Sequence, residues 1–341
     1  MRHLLNTSFY PFDLERNGGV EGIAALCRRL GLDGVELLTG HSPPSIDLRP
    51  LTQGVHLPYG VDWLAAWEGR PMPEGLEGDD ILFFSFGRDR EEAIRVIRRS
   101  WELAATLEPS YGIFHAGNPR LDGIFTQEFP YSDEEVLFSL AAMLNQVVEG
   151  FPDGEPPFTI MLENLWWPGL RFLDGEEHRT LSELLDFENW GYCLDTGHLM
   201  NSLRDCREEE QAIVRTLSHL EGLPSEMIER VGVVHLHLSL SAQYQEESIS
   251  RGDPEGFREM SHRERINLAF PHFSAIDWHA PFRSDACRDI VDLLSPSFVT
   301  HEFICAQPGD MEKKLSQQLA HFRDREPLSS PAARAAQSTI K

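Results

Sequence analysis

Imidazoles and carboxylates gather where the short apolar runs of this chain stop. His56 falls in GVHLPY, His115 in IFHAGN, Glu163 in MLENL, and Asp195 and His198 in CLDTGHL. His235 and His237 fall in VVHLHLS, Asp277 and His279 in IDWHAPF, and Glu302 in THEFI. Imidazole and carboxylate together suit zinc, manganese, iron or cobalt. A carboxylate at the end of an apolar strand is costly to bury without a metal or another partner. Any one of these histidines would ordinarily be a hydrogen-bonded core or rim residue, and a lone Glu there a cap or a solvated group. The joint pattern, ligand-type residues at the same end of successive runs, is what points to a metal centre. His41, His178, His219, His262, His272 and His321 fit no such place and read as structural or solvated. His301 neighbours Glu302 and should face the other side of its strand. His235 and His237 share a side, so either or both can enter the site.

The runs that must position these groups are Leu4–Leu5, Gly34–Leu38, Gly54–Leu57, Tyr111–His115, Phe158–Glu163, Tyr192–Asp195, Val231–His237 and Phe298–Phe303. Continuous apolar runs of this length suit strands buried on both faces of a parallel sheet. Helical patterns lie between most of them: Gly18–Leu30, Asp89–Leu107, Ser132–Glu149 with a Ser cap ahead of acids, then 205–220, 285–294 and 310–323. Strands alternating with helices predict an α/β fold, a single-domain (β/α)8 TIM barrel over residues 1–325. Long segments after strand three (Gly60–Arg88) and strand seven (Leu240–Pro281) belong to its catalytic, C-terminal face. The Ser/Ala/Pro-rich tail 326–341 is expected to be disordered.

Composition narrows the partners. The chain has 341 residues, with 30 Lys and Arg against 55 Asp and Glu, a net charge of −25. Sequence-independent nucleic-acid binding rests on cationic side chains, so neither general nucleic-acid binding nor an anionic membrane is expected. A small anionic substrate remains open, because bound metal reverses the sign of a pocket locally. Five scattered cysteines without a CxxC, no signal peptide and no membrane-length apolar run imply a cytoplasmic protein in a reducing compartment. The predicted catalytic-face loops are aromatic, with Phe9, Tyr10, Phe12, Tyr59, Trp63, Trp67, Trp166, Trp167 and Trp278. Each alone reads as loop packing. Together they suggest a mouth for a bulky, flat or greasy small molecule, with Tyr59, Trp166, Trp167, His237 and Trp278 on the substrate side.

The motifs HLPY, FHAGN, LENL, LDTGH, HLH, DWH and THEF resemble those of the xylose isomerase-like TIM barrels, across about residues 1 to 325. That superfamily includes endonuclease IV and sugar isomerases and epimerases. The resemblance implies a divalent-metal core of Glu163, Asp195, His235 and Glu302. Its endonuclease branch implies a trinuclear zinc site that adds His56, His115, His198, Asp277 and His279. All nine positions are filled. An isomerase or epimerase would need one Mn²⁺ or Mg²⁺, with Glu163 and Glu302 as the catalytic acid–base pair. Its Arg after the strand-seven His and its PGxG segment are replaced here by LSLSAQ and HAPFRSD. The retained Asp-x-His suits a multi-metal site that clamps a phosphoryl group and activates water. Hydrolysis of a small phosphoester is therefore expected ahead of sugar isomerisation, and a non-catalytic metal or corrinoid binder is the third reading. VELL, VHLPY, LEPSYGIFHAG, LENLWWP, CLDTGHL and HLH are also similar to cobamide-remodelling phosphodiesterases. That similarity implies the nucleotide-loop phosphodiester of a cobamide as substrate.

Overall fold

Each apolar run becomes a strand, and the eight strands pair in chain order. The computed structural model describes residues 1–323 apart from 306 and 308. The expected tail 326–341 lies outside the described residues. The strands are β1 (Arg2–Ser8), β2 (Gly34–Leu38), β3 (Thr52–His56), β4 (Tyr111–His115), β5 (Thr159–Glu163), β6 (Trp190–Asp195), β7 (Val231–His235) and β8 (Phe298–His301). Neighbours run parallel and β8 returns to β1, so the sheet is a closed barrel and the fold is a single-domain (β/α)8 TIM barrel. β6 is buried at every position, which is why its sequence shows no polar alternation. The fourth expected strand matches residue for residue. β7 and β8 stop at His235 and His301, so His237 and Glu302 stand just beyond their strands.

Alternation along the strands decides what reaches the top of the barrel. Leu4, Tyr111, Ile113, Cys193 and Val233 fill the interior, with Met161 and Phe298 packed against them. Side chains two residues apart share a face. His115 follows Ile113 by two, Glu163 follows Met161, Asp195 follows Cys193 and His235 follows Val233. Those four groups therefore continue the interior column upward. Register completes the grouping: His115 pairs with Glu163, and Asp195 with His235. His301 faces the other way, as expected, and its Nδ1 meets Gln318 Nε2 of helix Asp310–Ala320 at 2.8 Å.

The helices at Gly19–Leu30, Arg90–Ala105, Asp133–Val148, Glu209–Leu220, Cys287–Leu294 and Asp310–Ala320 fall within the expected patterns. Ser132 and Glu135 form the capping box that the sequence suggested. The two long segments carry helices of their own. Gly60–Arg88 carries Trp63–Trp67 and Asp79–Ser85, and the segment after β7 carries Ala242–Arg251 and His262–Ile276. The first packs Trp63, Leu64, Trp67 and Phe86 into the main core, and the second sets Phe257 and Ala269 in a separate apolar cluster with Phe125, Leu165 and Trp167. Among the described residues no helix is long and apolar enough to cross a membrane.

Candidate metal centre

Three groups of ligand-type side chains converge at the C-terminal end of the barrel: His56, His115 and Glu163; Glu163, Asp195, His235 and Glu302; and His198, His237, Asp277 and His279. Glu163 belongs to two of them. In the first group, His56 Nε2 and His115 Nε2 are 3.2 Å apart, and each is 3.3 Å from Glu163 Oε2. Tetrahedral bonds of about 2.0–2.1 Å place neighbouring ligand atoms roughly 3.3 Å apart. Two imidazole nitrogens and a carboxylate oxygen at that spacing fit a zinc-sized ion. Glu163 Oε2 is buried and has no hydrogen-bond donor, so its lone pairs are free for one.

The backbone sets the imidazole tautomers. His56 Nδ1 donates to the Leu57 carbonyl at 3.0 Å, His198 Nδ1 to Asn164 O at 2.8 Å, and His279 Nδ1 to Glu302 O at 3.2 Å. A carbonyl only accepts, so when each ring is neutral its proton stays on Nδ1 and Nε2 carries the lone pair that faces the site. His198 Nε2 lies 3.3 Å from Asp277 Oδ2, and His279 Nε2 lies 2.6 Å from the same oxygen. His279 has φ of 44°, an unusual backbone for a side chain of its size, and it holds the ring over Asp277.

His235 is oriented from below by a residue that the strand-end pattern does not reveal. Glu36, fully buried on β2, takes His235 Nε2–H at 2.9 Å. It also accepts from Tyr111 Oη at 2.8 Å, Thr300 Oγ1 at 3.0 Å and Asn6 Nδ2 at 3.2 Å. His235 Nδ1 then faces Glu302 Oε2 at 3.1 Å, Glu163 Oε1 at 3.4 Å and Asp195 Oδ2 at 3.7 Å. Asn164 is a second such residue. Its side-chain oxygen accepts Asp195 N–H at 2.8 Å and its Nδ2 donates to Asp195 O at 3.1 Å, fixing the end of β6 to β5. A signal for Glu36 is present in the sequence, since it is the lone charge inside the apolar run GVELL.

Without cations the electrostatics are inverted. Burial opposes charge on His198 and His279, yet neighbouring carboxylates, Asp195 and Asp277 for His198 and Asp277 for His279, hold them up at about 10 and about 9. Burial likewise opposes charge on Glu302, yet His235 holds its carboxyl below the usual range. The carboxylates draw protons onto the imidazoles in the role that metal fills.

Above the clusters lies a cavity of about 310 Å³ lined by His56, His115, Glu163, His198, Asp277, His279 and Glu302 at its floor. Tyr59, Trp166 and Trp167 stand in its wall, where the substrate side was expected. Tyr59 stacks on His115, centroids 4.8 Å apart, and Trp166 tilts over His198 at 4.8 Å. Asp195 and His235 lie beneath the floor, fully buried. Two of the expected substrate-side residues sit elsewhere. His237 is fully buried beside Asp195, 2.8 Å from Nε2 to Oδ2. Trp278 is outside the lining, because its indole N–H turns back to Ala275 O at 2.9 Å. Phe270 and Phe273 take that place in the wall.

A parallel eight-stranded barrel with a ring of metal-type ligands at its C-terminal end defines the class. The chain belongs to the xylose isomerase-like TIM barrel family, whose model matches residues 24–263. Its fold is similar to endonuclease IV from Thermus thermophilus, at 18% identity and TM-score 0.53 over 95% of this chain and 100% of that one. It is also similar to the D-allulose 3-epimerase from Methylomonas sp., at 12% identity and TM-score 0.51 over 96% and 97% of the chains. A third is the IOLI protein with a binding zinc atom, at 14% identity and TM-score 0.50 over 94% and 96%. No curated protein sequence matches the chain.

Proposed function

We propose that this protein is a metal-dependent hydrolase of a small phosphoester. The observation that carries this reading is the presence of three ligand groups, two of them sharing Glu163, rather than one. Glu163, Asp195, Asp277 and Glu302 bring four negative charges to the site. One divalent ion leaves that floor two charges negative, which suits a neutral sugar. Three leave it two charges positive, which suits a phosphoryl group. Divalent ions held there, zinc by the ligand types, supply Lewis acidity toward phosphoryl oxygens and acidify water.

The chain's own part is positional. Glu163 gives one oxygen to each of the first two groups and orients the attacking water between them. Asp277 and His279 complete the third group. The wall of Tyr59, Trp166 and Trp167 excludes bulk water. The net charge of −25 and, among the described residues, a cavity lining without Lys or Arg favour a small molecule over nucleic acid. Cysteines that are all free and buried suit a reducing compartment, the cytoplasm.

The second reading is a sugar or sugar-phosphate epimerase on a single ion at Glu163, Asp195, His235 and Glu302. It is favoured by Glu163 and Glu302 both lining the cavity, where they can act as an acid–base pair. Elemental analysis of the purified protein, with hydrolysis of bis(4-nitrophenyl) phosphate, separates the two. About three ions per chain with hydrolysis supports the first reading. One ion, no hydrolysis and solvent proton exchange into a ketose that is lost in Glu163→Gln establishes the second.

A further inference from the structure

The wall of the cavity carries more information than its floor. Phe270, Phe273, Ser274 and Asp277 all line it and lie at i, i+3, i+4 and i+7 along His262–Ile276 and its C-cap, one helix face. Phe273 is braced edge-on against Trp167, centroids 5.6 Å apart. Phe270 is 70% exposed although it borders the cavity, and Ile304 is 59% exposed at the same rim. Apolar surface is thus held open to solvent beside a cluster of charged groups. The one hydroxyl on this helix face, Ser274 Oγ, donates its proton to Phe270 O at 3.1 Å and offers a ligand only its lone pairs. Among the described residues, none of the lining is Lys or Arg.

We infer that the ligand is a phosphoester with a single ionised group, its phosphoryl, and an uncharged apolar arm of aromatic size seated on Phe270 and Phe273. The inference rests on the hydrolase reading and names its substrate class. A second phosphate or carboxylate on the arm would be desolvated against this wall with no counter-charge. A sugar arm seated on Phe270 and Phe273 would set several hydroxyls against carbon, with only the Ser274 lone pairs on that helix face to receive them. An aryl or similar group loses nothing polar and covers the exposed Phe270. The cavity, about 310 Å³, has room for the phosphoryl group and an aromatic arm together.

The same helix also ties the arm to the chemistry, because Asp277 is its C-cap. The helix is fixed from outside by Arg265, paired with Asp122 at 2.6 Å, and by His272 Nε2, bonded to Ile124 O at 2.8 Å. Binding energy gained at Phe270 and Phe273 is therefore available to hold Asp277 in place.

The test is calorimetric titration of the zinc-loaded protein with phenylphosphonate and methylphosphonate, which share a headgroup and are not hydrolysed. Phenylphosphonate should bind at least tenfold tighter, about 1.4 kcal/mol. In Phe270→Ser that preference should shrink at least threefold; Phe270 is exposed, and the variant's metal content verifies its fold. Equal affinities, or a preference unchanged in Phe270→Ser, overturn the inference. A parallel assay with bis(4-nitrophenyl) phosphate keeps the two claims apart. Phenyl-selective binding without hydrolysis removes the hydrolase reading and leaves the ligand class standing. Hydrolysis without phenyl selectivity does the reverse.

Discussion

The rings of His237 and His279 lie face to face, centroids 4.2 Å apart and planes 13° from parallel. A ligated ion lies near the plane of its imidazole, about 2.0–2.1 Å from the nitrogen. Two rings stacked in this way cannot both aim a lone pair at one ion. His279 aims at Asp277, whereas His237 gives its Nε2–H to Asp195 Oδ2 at 2.8 Å. His237 is therefore a positioning residue, joining a carboxylate of the second group to an imidazole of the third.

His237→Phe keeps the stacked ring and removes the donor. Its capacity at saturating zinc should match the parent's, while affinity, read by chelator competition, falls roughly 10–100-fold, the usual effect of losing such a partner. A capacity reduced by one ion per chain would make His237 a ligand instead.

Glu36→Gln tests the support beneath His235. Glu36 accepts from Asn6, Tyr111, Thr300 and His235, and a Gln side chain turns an NH₂ toward donors in a fully buried site. The expected loss is about 1–3 kcal/mol of unfolding free energy, read by urea denaturation of the metal-free protein, together with weaker metal binding. An unchanged urea midpoint would remove Glu36 from this role.

Much of this centre was legible because β-strand alternation is rigid. Once His115, Glu163, Asp195 and His235 end parallel strands of one barrel, the pleat leaves them few other places to point. Glu36 escapes a pattern of strand ends because it lies two residues inside β2. The Phe270–Phe273 wall escapes for a different reason. Pro271 breaks the expected helical pattern, yet the helix runs through it from His262 to Ile276. With a helix breaker inside it, the spacing of Phe270, Phe273 and Asp277 does not by itself define a face. The His237 stack depends on tertiary distance, which no local spacing reports.

Metal loading should release protons. His198 and His279, buried but held up at about 10 and about 9 mainly by the Asp195 and Asp277 carboxylates, are protonated at pH 8 in the metal-free protein. Metal takes only the neutral imidazole. Calorimetric zinc titrations in buffers of different ionisation enthalpy should therefore show net proton release at pH 8. Apparent affinity should climb between pH 7 and 9. Heats independent of the buffer would contradict this.

Acid lability has a separate source on the far side of β8. Burial pushes His3 down to about 4, against the nearby Asp33 carboxylate, and its Nδ1 meets His301 Nε2 at 3.0 Å. The unfolded chain takes up this proton near pH 6.5 and the folded chain only near 4. The unfolded state therefore binds more protons within that window, and stability falls as pH drops through it, by about 2–3 kcal/mol. In His3→Phe, urea midpoints of the metal-free protein should fall less steeply between pH 6.5 and 4 than in the parent. Parallel slopes would assign the acid limb to other groups.

Gly197, within CLDTGHL, closes the same geometry from the opposite side. A Cβ there would stand 2.1 Å from His237 Cε1 and 2.5 Å from its Nδ1. The ring cannot retreat, being stacked on His279 and bonded to Asp195. Overpacking of this kind costs about 1–3 kcal/mol, so Gly197→Ala should lower the urea midpoint and weaken zinc binding together. In a His237→Ala background the obstructing ring is gone, and the same substitution should cost close to nothing. A double-mutant cycle reads this coupling directly, and about 1 kcal/mol or more is expected for residues in contact. Additive losses would show that Gly197 is required for the turn into helix Thr196–Leu203 rather than for the imidazole above it.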